Sequence, residues 1–146
     1  KRRAEKIYYA IVCGVPRERE GAIDFGIGRL VSNPTMRGAA VGRAVLRGAR
    51  DALTHYRVLK ASDAYGLVEL CPKTGRMHQL RVHMKAIGHP IACDTKYGGR
   101  QVCCPAGAGR QLLHARSLAF SFPEGRRLSF EADLPADKAL AIESVF

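Results

Sequence analysis

The sequence predicts an α+β fold, a mixed and mostly antiparallel sheet with few helices. Three observations lead there. Strand-like runs rich in β-branched and aromatic residues recur along the chain. Two pairs of these runs are joined by short turn sequences. One stretch alone carries a helical period. The 146 residues, 1–146, suffice for one domain with its own core.

The elements follow in order. "KIYYAIVCG" at 6–14 is a strand closed by glycine. "GAIDFGIGRL" at 21–30 alternates Ile23, Phe25 and Ile27 with small or polar residues, which predicts a second strand. Residues 31–50 are rich in Gly, Arg and Ala, and Gly38, Gly42 and Gly48 favour a loop over a poor helix. "ALTHYRVLKAS" at 52–62 and "YGLVELCPK" at 65–73 make a hairpin about "DA". A helix over 76–87 ends at Gly88, with Pro90 just beyond. "HPIACDTKYGG" reads as a short strand and turn, and 100–110 as a loop. "QLLHARSLAFSF" at 111–122 and "RRLSFEADLP" at 126–135 form a last hairpin about "PEG".

Charge narrows the function. The chain carries 24 basic and 13 acidic residues, a net +11. Arg29, Arg37, Arg43, Arg47 and Arg50 fall in a stretch without an acid. Residues 73–100 hold six Lys or Arg and one acid, Asp94. Basic charge blocked in this way suits a polyanion, most simply a nucleic acid, although solubility alone also favours charge. No apolar run approaches a membrane span, so no membrane partner is expected. The first residue is Lys1 and a strand-like pattern starts almost at once, so the chain is expected to be cut from something longer. The five cysteines are an odd number without regular spacing. That argues against a disulfide framework and for a reducing, cytoplasmic setting.

The stretch "KTGRMHQLRVHMKAIGHP" mixes charge into a helical pattern. At 100° per residue, Met77, Leu80, Met84 and Ile87 make an apolar stripe, and His78, Arg81 and Lys85 make a basic row beside it. Arg81 is nearest the stripe, so its guanidinium needs a partner. A structural carboxylate, a backbone carbonyl and a catalytic acid all fit that spacing. Thr74 can cap the helix, and Arg76 with free backbone N–H groups would suit a phosphate there. His78, His83, His89 and Cys93 could suggest zinc. However, His78 and His83 lie about 140° apart on a helix, no CxxC pair supports them, and adjacent Cys103 and Cys104 are poor zinc geometry. No metal is expected, and His78, His83 and His114 read as structural hydrogen-bond donors.

"TGRMHQLRVHMKAIGHPIACDTKYGG" resembles the signature of RluA-type pseudouridine synthases, T-G-R-x-H-Q-[IL]-R-V-H followed by G-H-P-I and D-x-x-Y-G. "KIYYA" is similar to that family's K-x-Y-x-A, and "LLHARSLAFSFPEGRRLSFEADLP" to its closing stretch. The likeness covers nearly the whole chain, in the family's order. It implies a pseudouridine synthase-like fold and isomerisation of a flipped-out uridine in rRNA or tRNA, without a cofactor. It implies that Arg81 pairs with a catalytic aspartate, that Tyr8 packs on the target base, and that Leu113 walls the pocket. Lys6, Arg29, Arg76 and Lys85 would meet RNA.

The sequence departs from the family at one decisive place. The family's nucleophile lies in a motif like H-R-L-D upstream of K-x-Y-x-A, and no such motif occurs here. Asp94 matches the family's structural aspartate, with Cys93 where a glycine is usual. The chain therefore reads as the C-terminal portion of a synthase domain. Alone it is expected to be inactive and to lack part of the central sheet, with edge or apolar surface exposed. A catalytically inactive RNA-binding module is the alternative.

Overall fold

A computed structural model describes residues 4–146. A six-stranded sheet has the order β2-β6-β7-β1-β8-β9, and a three-stranded sheet the order β4-β3-β5. The large sheet comprises β1 (Ala4–Cys13), β2 (Glu20–Asp24), β6 (Leu53–Ala61), β7 (Tyr65–Pro72), β8 (Leu113–Ser121) and β9 (Arg127–Glu131). The small sheet comprises β3 (Ile27–Leu30), β4 (Arg37–Ala39) and β5 (Leu46–Arg50). Every pairing between named strands is antiparallel. Three helices complete the fold: α1 (Gln79–Ala86), α2 (Thr95–Gly98) and α3 (Ala136–Val145).

The core explains why β1 is apolar almost throughout. The strand lies inside the sheet, between β7 and β8, with helices over both faces. Ala10 and Val12 pack with Leu80 and Met84 of α1. Ile11, pointing the other way, packs with Leu67, Leu112 and Ala141 of α3. A strand covered on both sides loses its polar alternation. Helix α1 has a second apolar edge, Val82 and Ala86, which packs against Ile27 and Ala39 of the small sheet and Tyr97 of α2. It is thus held between the two sheets, which fixes its rotation and the direction of Arg81.

Several expectations need correction. The predicted strand at 21–30 is two strands, because Phe25 and Gly26 carry the chain from one sheet to the other. The predicted loop at 31–50 contains β4 and β5. Its glycines permit close packing of the strands: a Cβ on Gly28 would lie 3.0 Å from Ala49 Cα, and one on Gly38 2.7 Å from Leu30 Cδ2. The helix starts at Gln79, so Met77 precedes it and is 61% exposed instead of joining the stripe. Thr74 is no cap. The N-cap position is His78, in the left-handed region at φ 57° without a side-chain cap bond. Around Asp94 there is an isolated bridge at Ile91 followed by α2, not a strand. The last strand ends at Glu131, and α3, which the sequence reading missed, follows Pro135.

The cysteines also need correction. Cys13 is joined to Cys103 and Cys93 to Cys104, leaving Cys71 as the free thiol. Irregular spacing along the chain carries no information about proximity in space. The end of β1 and the turn before Asp94 both meet the loop at 103–104.

At the open edge of the large sheet, Phe130 of β9 is 55% and Leu118 of β8 37% exposed. No helix among the described residues is long and apolar enough to cross a membrane.

Candidate active site

One cleft of about 410 Å³ opens between the first half of β1, the start of β8 and the entry to α1. It gathers Lys6, Tyr8, Arg76, Arg81 and Leu113, five of the residues the sequence singles out, with Gln79, Leu80 and Gln111. Tyr8 reaches it from β1 and Leu113 from the start of β8. Both pack at the margin of the core cluster that contains Leu80. The β1–β8 register shifts between Ile7 and Tyr8: Ile7 faces Ser117 and Tyr8 faces Ala115. Such an irregularity beside a cleft re-aims a side chain. The apolar walls and the phenol give a platform for a planar ring, and Lys6 and Arg76 supply positive charge.

Arg81 is held with high specificity. Its Nε donates to Asp94 Oδ2 and its Nη2 to Asp94 Oδ1, each at 2.7 Å. The guanidinium also lies 4.8 Å from the centroid of the Tyr97 ring. The Asp94 side chain is 1% exposed and that of Arg81 15%. Hydrogen bonding to Asp94 raises the Arg81 pKa further, against the opposing effect of burial. Asp94 Oδ1 also accepts from Tyr97 N at 3.2 Å, capping α2. The sequence reading placed the carboxylate partner of Arg81 outside the chain. In the structure an aspartate 13 residues further on takes that position, brought back by the turn through Gly88. A two-pronged pair fixes the guanidinium plane, and Arg81 still lines the cleft.

A buried polar network, not foreseen from the sequence, sets the base of α1. The Leu53 amide donates to Thr74 Oγ1 at 3.0 Å, and that hydroxyl donates to Gln79 Oε1 at 2.7 Å. Gln79 Oε1 also accepts from the Arg76 amide at 3.0 Å, which ties the cleft's arginine to the helix. Gln79 Nε2 donates to Leu53 O and to Thr54 Oγ1, both at 3.0 Å. Thr54 Oγ1 lies 2.9 Å from His83 Nδ1, and His83 Nε2 lies 2.9 Å from Phe25 O. A carbonyl can only accept, so Nε2 carries a proton, and in the neutral ring Nδ1 accepts from Thr54. His83 is structural, held by a hydrogen bond at each ring nitrogen.

Burial is the main cause that pushes the His83 pKa below its ordinary 6.5, with the Phe25 carbonyl opposing. Between that ordinary value and the depressed folded value, the unfolded chain binds a proton that the folded chain excludes. Stability therefore falls as pH drops below about 6.5, and continues to fall until the folded pKa is reached. His78 is also depressed, chiefly by burial and then by Arg81, and adds to the same slope. Urea melts between pH 5 and 8 should show the fall. His83→Gln should flatten part of it, and an unchanged slope in that variant would remove His83 from the account.

The remaining candidates divide. Arg29 lies outside the cleft, in a groove on the small sheet that shares Gly75 and Arg76 with it. Lys85 is exposed on α1 and lines neither. His78 Nδ1 lies 2.7 Å from Tyr97 Oη, and His114 Nε2 lies 3.1 Å from Ala132 O. No group of three or more His, Cys, Asp or Glu among the described residues is placed to hold a metal. No carboxylate among the described residues lines the cleft.

Residues 1–86 match the family described as RNA pseudouridylate synthase. An uncharacterized RNA pseudouridine synthase of Mycobacterium tuberculosis is 40% identical over 144 residues, covering 97% of this chain and 45% of the relative. Ribosomal large subunit pseudouridine synthase D of Nitrosomonas europaea is 38% identical over 152 residues, covering 99% of this chain and 42% of that protein. Human RNA pseudouridylate synthase domain containing 1 superposes with a TM-score of 0.77 at 30% identity, covering 91% of this chain and 56% of that one. The chain thus spans less than half the length of the curated relatives it matches.

Proposed function

Since this chain belongs to the RNA pseudouridylate synthase family, we propose that it forms the Arg- and Tyr-bearing part of an enzyme that isomerises uridine to pseudouridine in folded rRNA or tRNA. One observation carries the reading. Tyr8, Leu113 and Arg81, far apart in sequence, meet in a single cleft with Lys6 and Arg76 beside them. A uridine turned out of its RNA would stack on Tyr8 against Leu113, with neighbouring phosphates near Lys6 and Arg76. The glycosidic bond from C1′ to N1 breaks and the uracil rotates. The C1′ to C5 bond then forms, C5 loses its proton and N1 gains one. The chemistry needs no cofactor.

The attacking aspartate is the missing part. Asp94 is buried, bonded to both Arg81 and the Tyr97 amide, and does not line the cleft. We assign the nucleophile to a segment outside residues 1–146, with Arg81 as the cation that keeps its carboxylate ionised.

The test is pseudouridine formation in total rRNA and tRNA by the full-length protein, read by nucleoside mass spectrometry. Tyr8→Ala removes the stacking platform, worth about 1–3 kcal/mol per base. That is roughly a 5- to 150-fold fall in kcat/KM. Tyr8→Phe keeps the ring and should retain most activity. RNA binding without any pseudouridine formation would replace this reading with that of an inactive RNA-binding module.

A further inference from the structure

Among the described residues Lys138 is the one lysine that the fold buries, at 6% exposed, and no carboxylate pairs with it there. Its stem shares a small apolar cavity with Tyr9, Ile11, Leu112 and Leu134. Its ammonium donates to Leu113 O at 2.7 Å. Burial, and then repulsion from Arg110, push the Lys138 pKa below its ordinary value, with Asp137 opposing. A buried ammonium is costly unless hydrogen bonds offset its lost hydration. Methionine would pack beside Ala141 and Ile142 of α3 without that cost. The bond to Leu113 is what distinguishes Lys138 from an apolar residue at this place.

Sheet topology explains why the Leu113 carbonyl is open. Leu112 O accepts from Ile11 N of β1 at 3.0 Å. Successive carbonyls of a strand point to opposite sides, so Leu113 O points away from β1. On that side β9 stops short, because its pairing with β8 ends at Ser117 and Glu131. Beyond β9 the chain turns towards α3, guided by Ala132 O, which accepts from His114 Nε2 at 3.1 Å and from Arg116 Nη1 at 2.7 Å. Lys138, in the first turn of α3, takes the place of the missing strand partner.

We propose that Lys138 is a positioning residue of the cleft: its ammonium fixes the Leu113 carbonyl, and so the angle at which the Leu113 side chain meets a uridine stacked on Tyr8. The proposal rests on the reading of Leu113 as a wall of the uridine pocket. Lys138 itself does not line the cleft. It acts from the far face of the large sheet, through the backbone of β8. The Leu113 amide closes a tight turn onto Gln111 O at 2.9 Å, and its side chain is only half-buried, at the margin of the core. The bond from Lys138 therefore supplies much of the rigidity of this wall. Site geometry depends on such supporting bonds behind the residues that touch the substrate.

The test is a double-mutant cycle in the full-length protein with Lys138→Met and Leu113→Ala. Lys138→Met keeps the length of the stem and removes the charge, so it should unfold at a urea concentration no lower than the parent's. A misplacement of about 1 Å can cost roughly 100-fold in rate, and a smaller shift of one wall should lower kcat/KM by about 10-fold. In the Leu113→Ala background the same substitution should cost less than about 2-fold, because the wall it misplaces is gone. Parental kcat/KM in Lys138→Met overturns the proposal. So does an equal loss in both backgrounds, which would mark a structural effect that does not pass through Leu113. A second readout needs no turnover. In leucine-methyl NMR of the full-length protein, the Leu113 signals, identified by their absence from Leu113→Ile, should shift in Lys138→Met, while those of Leu46 on the small sheet stay where they are. Unmoved Leu113 signals also overturn the proposal. Parental kcat/KM in Leu113→Ala would instead defeat the reading of Leu113 as a pocket wall, and inactivity of the parent would defeat the enzymatic reading. In both cases the methyl signals still decide whether Lys138 holds this side of the cleft.

Discussion

Replacing Arg81 by alanine is expected to cost the fold about 3–5 kcal/mol, because it leaves a buried carboxylate without its cation. Asp94 has a side chain that is 1% exposed, and both of its oxygens accept from Arg81. The Tyr97 amide alone remains to satisfy it. Loss of activity in Arg81→Ala would therefore be ambiguous, since a destabilised fold also loses the site. A double variant separates the two effects. Arg81→Met with Asp94→Asn removes both charges, keeps most of the side-chain volume, and leaves an Asn that can still cap α2. It should recover most of the lost stability, as neutralised buried pairs do. Isomerisation by the full-length protein should stay at least about 100-fold below the parent, the usual scale for removing a positioned electrostatic group. Arg81→Lys should rescue little, since an ammonium cannot reproduce the two-pronged contact. Near-parental activity in the refolded double variant would end the role assigned to Arg81. A single Arg81→Ala as stable as the parent, by urea denaturation, would end the structural one.

The Arg81 pair marks where the sequence was informative and where it was not. Periodicity put Arg81 at the edge of the apolar stripe and so demanded a partner. It could not name Asp94, because the pairing depends on how the chain folds back after α1. The strands with simple neighbours, β6 and β7, were legible because their hairpin is local. β4 and β5 were hidden because glycines that read as loop in one dimension serve close packing in three. Tyr8 and Leu113 were legible through the family resemblance, whereas Gln79 was missed. Its amide organises Thr74, Thr54 and the Arg76 backbone. A glutamine in a helical pattern gives no sign of burial, although the apolar residues on either side of "HQLRVHM" were a usable hint.

The loop at 103–104 should prove the most redox-sensitive part of the fold. The Cys13–Cys103 bridge spans 90 residues and the Cys93–Cys104 bridge 11. Loop-closure entropy assigns about 4.5 kcal/mol to the first and about 3 kcal/mol to the second as upper figures, and the two do not simply add because the loops overlap. Cys13→Ser is thus expected to lower the urea midpoint more than Cys104→Ser, and a reductant should bring the parent close to a Cys13→Ser/Cys104→Ser variant. Position 93 allows a finer test. Cys93 stands at φ 61°, where a side chain is strained and glycine is not. Cys93→Gly breaks the same bridge as Cys104→Ser but recovers about 1 kcal/mol of backbone strain, so it should be the milder of the two. Because Cys93 precedes Asp94, both substitutions should also loosen the Arg81 pair more than Cys13→Ser does. Hydrogen exchange at the Tyr97 amide, which Asp94 holds, would report that loosening. Equal exchange in the three variants would show that the bridges stabilise the fold without supporting the site.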